Sequence, residues 1–181
     1  MRLDRSEAAG RGPPKPVIQG WVSLPLGVVT LAEKFGGEKV SRAVFEQMVD
    51  VVSAALADFS RRHGGDLRGL HMLGTSGTVT TIAGVWLDLP RYDRRRVDGC
   101  WLRTHEITAV IDRLMAMTWQ DRVDNPCIGM ERADLVLAGC AILEAIRRAF
   151  PCPRLRVADR GLREGILVKM MRADGVWDDE G

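Results

Sequence analysis

The densest grouping of residues suited to chemistry is Gly74, Thr75, Ser76, Gly77 and Thr78, set between a short apolar run and a longer one. That placement is a strand-to-helix turn. Two glycines let the backbone turn tightly and approach a ligand. Thr75, Ser76 and Thr78 bring hydroxyls, and the unsatisfied amides of the helix start accept an anion. A nucleotide or a polyphosphate chain would rest there. The same residues also read as a plain turn in which Thr75 or Ser76 caps the helix and nothing binds. Neither G-x-x-x-x-G-K-[ST] nor G-x-G-x-x-G occurs in the chain.

A second grouping, Asp159-Arg160-Gly161-Leu162-Arg163-Glu164-Gly165, follows the last apolar run. A polar strand end feeding a glycine-marked helix is where open α/β sheets place ligands. Arg163 would hold a phosphate there while Asp159 or Glu164 positions it or a cation. The plainer reading is that Asp159 caps the helix and Arg163 pairs with an acid. Arg91, Arg94, Arg95 and Arg96 would grip a polyanion, or form a solvated loop beside Asp93 and Asp98. Arg132 opens a helix against the dipole preference, which calls for a partner such as Glu131 or Asp134.

His63, His71 and His105 have no serine or cysteine placed beside them, and His105-Glu106 does not continue into a zinc motif. Cys100, Cys127, Cys140 and Cys152 are too widely spaced for a metal knuckle and read as reduced thiols. Trp21, Trp86, Trp101 and Trp119 read as core or rim packing, and Trp177 as exposed.

The elements that carry these residues follow from periodicity. Strands are expected over 17–23, 70–73 and 155–158. Helices are expected over 27–35, from 41 to about 62, from the glycine-hydroxyl turn to about 87, from about 105 under a Thr104 cap, over 131–150 and over 161–171. The stretch 90–99 reads as a charged loop and Asp124-Asn125-Pro126 as a turn. Such a set makes an α/β or α+β unit, with thin sheet support for so much helix.

With 181 residues, 46% hydrophobic and 28% charged, the chain has the profile of one soluble domain or one lobe of a larger protein. Its longest apolar stretch, 135–143, is too short to cross a membrane, and cytoplasm is the expected location. The net charge of +2 conceals an arginine bias, since of 26 basic residues only Lys15, Lys34, Lys39 and Lys169 are lysine. Acidic residues are interleaved throughout, which argues against a nucleic-acid footprint.

Four stretches in order carry a resemblance. They are Ser23-Leu24-Pro25-Leu26-Gly27 continuing to Phe35; Gly74-Thr75-Ser76-Gly77-Thr78 continuing as Val79-Thr80-Thr81-Ile82-Ala83-Gly84; Arg132-Ala133-Asp134-Leu135-Val136-Leu137-Ala138-Gly139; and Asp159 through Gly165. Together, over about 17–171, they resemble the second half of the Ppx/GppA phosphatase family. The resemblance implies an α/β fold: the ribonuclease-H-like second lobe of an actin-like (ASKHA) protein, here N-terminally truncated, with substrate phosphates bound between two lobes. It implies hydrolysis of a phosphoanhydride bond, removing terminal phosphate from inorganic polyphosphate or from guanosine pentaphosphate (pppGpp), with Mg2+. Gly74, Thr75, Ser76, Gly77 and Thr78 are carried over as the nucleotide or phosphate loop, and Asp159, Arg163 and Glu164 as cleft support.

No catalytic residue and no metal ligand is carried over. The family's water-activating glutamate and its D-x-G-S-N-S and D-I-G-G-G-S loops have no counterpart here. The expected organisation is a flexible leader over 1–16, the partial lobe over 17–172 and a polar tail over 173–181, inactive in isolation. The alternative is a non-catalytic domain that binds nucleotide, polyphosphate or a protein. Neither nucleic acid nor membrane is expected as a partner, and a homodimer is left open.

Overall fold

The computed structural model describes residues Arg2–Leu3 and 16–176, with side chains from residue 18 onward. Residues 1, 4–15 and 177–181, which hold most of the expected leader and much of the tail with Trp177, lie outside the described residues. The chain divides into a larger unit, Leu24–Asp159, and a smaller one joining Met1–Ser23 to Arg160–Gly181.

In the smaller unit β1 (Arg2–Leu3) pairs antiparallel with β2 (Pro16–Val17). Of the strand expected over 17–23 only Val17 is in a strand. Residues 18–23 have no ladder partner, and a strand without one leaves its backbone groups unpaired. Ile18 is 72% exposed, and Trp21, expected at a core or rim, is 82% exposed.

The larger unit begins with α1 (Val28–Phe35), which ends at Gly36 in the left-handed region (φ 84°). Helix α2 (Arg42–His63) starts where the Ser41 hydroxyl accepts from the Val44 amide at 3.2 Å. It buries Phe45, Met48, Val49, Val52 and Leu56, a three- and four-residue spacing that forms one face. Strand β3 (Met72–Gly74) leads into α3 (Gly77–Trp86).

The stretch expected as a charged loop contains a helical turn, α4 (Arg94–Val97). Two local forces make it: the Asp93 carboxylate caps the Arg95 amide at 2.9 Å, and Val97 is fully buried. A strand not foreseen, β4 (Trp101–Arg103), follows, then α5 (Thr104–Ala116). Thr104 does not cap α5; its hydroxyl donates to the carbonyls of Cys152 and Pro153, tying the helix start to the segment that enters the neighbouring strand.

A short helix α6 (Trp119–Asp124) comes next, capped by Thr118 and Asp121 in both directions. The helix expected over 131–150 is two helices, α7 (Met130–Ala133) and α8 (Val136–Ala149). The break has a physical cause. The Ala133 carbonyl, which a continuous helix would use internally, accepts instead from the Arg122 Nε at 3.0 Å. The Asp134 carbonyl lies so close to Gly37 that a Cβ there would sit 2.2 Å away.

Strand β5 (Arg154–Val157) is central in the order β3-β5-β4, parallel to β3 and antiparallel to β4. Side chains alternate across it: Leu155, Val157 and neighbouring Leu102 turn inward, while Trp101, Arg154 and Arg156 face out. Helices α2 and α8 pack along each other, and α8 buries eight residues because it is central to the core. The chain ends, back in the smaller unit, in α9 (Leu162–Ala173), none of whose residues is buried.

Candidate functional site

The candidate loop sits between the end of β3 and the first turn of α3. Ser76 is the N-cap, its hydroxyl accepting from the Val79 amide at 3.3 Å, and the Thr80 hydroxyl donates to the Gly77 carbonyl at 3.0 Å. The amides of Gly77 and Thr78 open the helix and have no acceptor within it. Gly74 is small for a steric reason: a Cβ there would lie 2.8 Å from both Val79 methyls. Thr78 turns away toward α8, where Gly139 admits it; a Cβ on Gly139 would stand 2.1 Å from the Thr78 hydroxyl oxygen.

Thr75, Ser76 and Gly77 therefore face a cleft of about 550 Å³, whose other walls are Thr80, Tyr92, the segment 123–129, Glu131, Arg132 and Asp159. A smaller, mostly apolar recess of about 260 Å³ adjoins it, lined by Val28, Thr78, Thr81, Leu135 and Val136, and again by Ser76, Gly77 and Arg132. The cleft wall 123–129 is held against α3 by another close approach. Gly84 faces Cys127, whose sulfur would be 2.7 Å from an added Cβ. Gly129 (φ 75°) then turns the chain into α7 through the left-handed region, which a larger side chain disfavours.

Arg132 stands where the two recesses meet. Its guanidinium carbon is 3.6 Å from the position a Gly77 Cβ would take, and its Nη1 donates to the Thr81 hydroxyl at 3.3 Å. Among the described residues no carboxylate pairs with it. The expected local partners are not used: Asp134 accepts from the Trp119 indole Nε1 at 2.5 Å, and Glu131 lines the cleft. A cation beside a helix N-terminus is opposed by the dipole. The arrangement is thus electropositive and suited to an anion.

Asp159 does not cap α9, whose N-cap is Gly161. It closes the cleft from the β5 side. Its carboxylate accepts from the Tyr92 hydroxyl at 2.9 Å and pairs with the Arg94 Nε at 3.2 Å. Its amide donates to Asp98 at 2.9 Å, and its carbonyl accepts from Arg94. Burial first, then the bond to Asp159, pushes the Tyr92 hydroxyl above its ordinary range. Of the arginines at 91–96, Arg94 is thus committed to Asp159, while Arg91, Arg95 and Arg96 are exposed.

Arg163 and Glu164 belong to the smaller unit. Glu164 accepts from the Gly161 amide at 2.7 Å and closes the first turn of α9; Arg163 is exposed. The carboxylates of the cleft do not fit a magnesium site. Asp159 is engaged as described, Asp124 accepts from Gln120 at 2.9 Å, and among the described residues no three His, Cys, Asp or Glu stand together as metal ligands.

The residue that sequence reasoning missed is Arg122. It is 2% exposed and donates to four backbone carbonyls: Ala133 at 3.0 Å, Met117 at 3.2 Å, Gly37 at 3.1 Å and Glu38 at 2.7 Å. Nothing in Trp-Gln-Asp-Arg distinguishes a buried arginine from a solvated one. Tyr92 and the segment 123–129 were missed as well, because they join the site only through the fold.

No curated protein matches the chain. Solved structures do. An Aquifex aeolicus member of the Ppx/GppA protein family is 26% identical with a TM-score of 0.71, covering 84% of this chain and 49% of its own. An exopolyphosphatase-like protein is 26% identical with a TM-score of 0.73, over 86% of this chain and 51% of its own. An exopolyphosphatase from Cytophaga hutchinsonii, 18% identical, shares the fold with a TM-score of 0.75 over 89% and 52%. The chain spans about half the length of these relatives. The cleft loop, Arg132 and Asp159 all fall within residues 16–174, over which the chain matches, and belongs to, the Ppx/GppA phosphatase family.

Proposed function

We propose that this chain forms the phosphate-holding part of a phosphohydrolase that removes terminal phosphate from inorganic polyphosphate or pppGpp, built as the ribonuclease-H-like second lobe of an actin-like fold. One observation carries the reading. The Arg132 guanidinium, without a carboxylate partner among the described residues, stands beside the opening turn of α3. Free amides and a guanidinium converging on one space are stabilised together by a phosphate oxygen, and charge-assisted bonds of this kind are the strong ones.

In this reading the amides of Gly77 and Thr78 and the hydroxyls of Thr75 and Ser76 hold and orient phosphate, while Arg132 neutralises it. The Tyr92–Asp159–Arg94 cluster keeps the opposite wall in place. No residue of the chain is assigned as the base that activates water, and no step is routed through a metal ion. The chain by itself then binds its ligand without turning it over.

The test is phosphate release from magnesium-polyphosphate and from pppGpp, together with calorimetric titration of inorganic tripolyphosphate, on chain whose folding is checked by circular dichroism. Folded chain should bind tripolyphosphate and release no phosphate. Arg132→Ala should weaken binding by about ten- to hundredfold, the loss of one charge-assisted contact. Turnover well above background would refute the absence of a base, and binding unaffected by Arg132→Ala would remove the site.

A further inference from the structure

Arg132 is carried by a four-residue helix, too short to hold a guanidinium in place by itself. What fixes that turn is Arg122, ten residues earlier and buried. All three of its side-chain nitrogens are spent on carbonyls, from the α1–α2 connection (Gly37, Glu38), the end of α5 (Met117) and the residue following Arg132 (Ala133). No carboxylate pairs with it among the described residues. Burying a charge for packing alone is poorly rewarded, since an apolar side chain of similar volume commonly does as well. A planar fork of donors is required here because the acceptors come from three separate segments, and an ammonium presents its donors around a single point.

Two further contacts converge on the same turn. Trp119, on the helix that carries Arg122, donates to the Asp134 carboxylate at 2.5 Å. Gly37, whose carbonyl Arg122 holds, allows the Asp134 backbone to approach to a distance that a Cβ would forbid. The position of the 132–134 turn is therefore set from α6 and the α1–α2 connection, not by α7 itself.

We infer that Arg122 is a positioning residue for the anion site: it acts through Ala133 to hold the Arg132 guanidinium beside the first turn of α3. This rests on the phosphate-binding reading above. The test compares the wild-type 181-residue chain with Arg122→Lys, Trp119→Phe, Arg132→Ala and the double variant Arg122→Lys/Arg132→Ala. Tripolyphosphate affinity is read by calorimetry and backbone amide exchange by mass spectrometry.

Arg122→Lys should weaken tripolyphosphate binding by about tenfold, and speed exchange across 130–136 by a similar factor while α2 is unchanged. Trp119→Phe, at a partly exposed contact, should do the same to a smaller extent. In the Arg132→Ala background Arg122→Lys should cost no further affinity, because its effect passes through the guanidinium already removed. A merely structural Arg122 would give additive losses, and additivity would overturn the inference. If wild-type chain binds no tripolyphosphate the phosphate reading falls, and exchange then decides separately: unchanged rates over 130–136 in Arg122→Lys overturn the positioning role, and faster rates confined there uphold it.

Discussion

Replacing Gly139 by Ala isolates the contact that seats α3 against α8. Two effects oppose each other. In a helix interior, alanine is more favourable than glycine by about 1 kcal/mol. Against this, the added Cβ would lie 2.1 Å from the Thr78 hydroxyl oxygen, 2.9 Å from its methyl and 3.0 Å from its Cβ. Rotating Thr78 can remove only one of its two γ atoms from the contact and leaves the Cβ in place, so backbone must move. Overpacking costs about 1–3 kcal/mol, and three contacts at or under 3.0 Å put this site in the upper part of that range, about 2–3 kcal/mol, which leaves Gly139→Ala destabilised by about 1–2 kcal/mol. For a chain of this size that is a fall of about 2–8 °C in Tm.

The second arm is Thr78→Ala. Without Oγ1 and the methyl, only the Cβ contact remains, and Gly139→Ala in that background should cost little or nothing. The expected coupling between the two substitutions is about 1–2 kcal/mol. Urea unfolding followed by circular dichroism measures it. Gly139→Ala more stable than wild type, or equally destabilising with and without Thr78, would refute the close approach and the account of why the loop ends in threonine. Because Thr78 lies in the first turn of α3, Gly139→Ala should also shift the amides of the proposed anion site and lower tripolyphosphate affinity under conditions where the variant remains folded.

Two further outcomes test the scaffold. Arg148 grips Glu46 through bonds of 2.8 and 3.1 Å between α8 and α2, and this, with burial opposing, holds the Glu46 carboxyl below its ordinary range. With its folded value depressed, Glu46 contributes stability above the unfolded range near ~4.3 and loses it as pH falls through the lower folded value. Both side chains are more than a third exposed, 47% for Arg148 and 39% for Glu46, so Glu46→Gln should cost only about 0.5 kcal/mol at pH 7. That difference should close on acidification towards pH ~3; a gap independent of pH would contradict the pairing. Burial raises all four thiols, Cys140 to about 12, and only Cys100 and Cys152 keep part of their surface in solvent. Native chain treated with a thiol reagent at mildly alkaline pH should therefore label at half-buried Cys100 and Cys152 alone, with all four reacting in urea. Rapid labelling of Cys140 in folded chain would contradict the packing of α8.

Local signals that repeat within a few residues were legible. The three- and four-residue spacing from Phe45 to Leu56 predicts α2, and Ser41 caps it as its chemistry requires. The glycine-hydroxyl turn lies between strand and helix, with Ser76 as the cap. Features that depend on a distant partner were not legible. Strand β4 is three residues long and exists because β5 offers it a ladder and Leu102 a place in the core. The break between α7 and α8 follows no proline or glycine; it arises where Arg122 takes the Ala133 carbonyl and the Asp134 backbone packs against Gly37. In the opposite direction, of the strand expected over 17–23 only Val17 finds a ladder partner, and residues 18–23 have none.

The same division holds at the site. Sequence alone determined the loop, its hydroxyls, the order of the family's motifs and hence the family, because these are properties of residue type and spacing. Tertiary structure decided which of those residues face the cleft. It sends Thr78 to pack on Gly139, commits Asp159 to Tyr92 and Arg94, and brings Arg132 from 55 positions further along the chain to stand beside Gly77. Direction and partnership are set by where other elements pass, and a side chain's type does not encode what the fold will place opposite it.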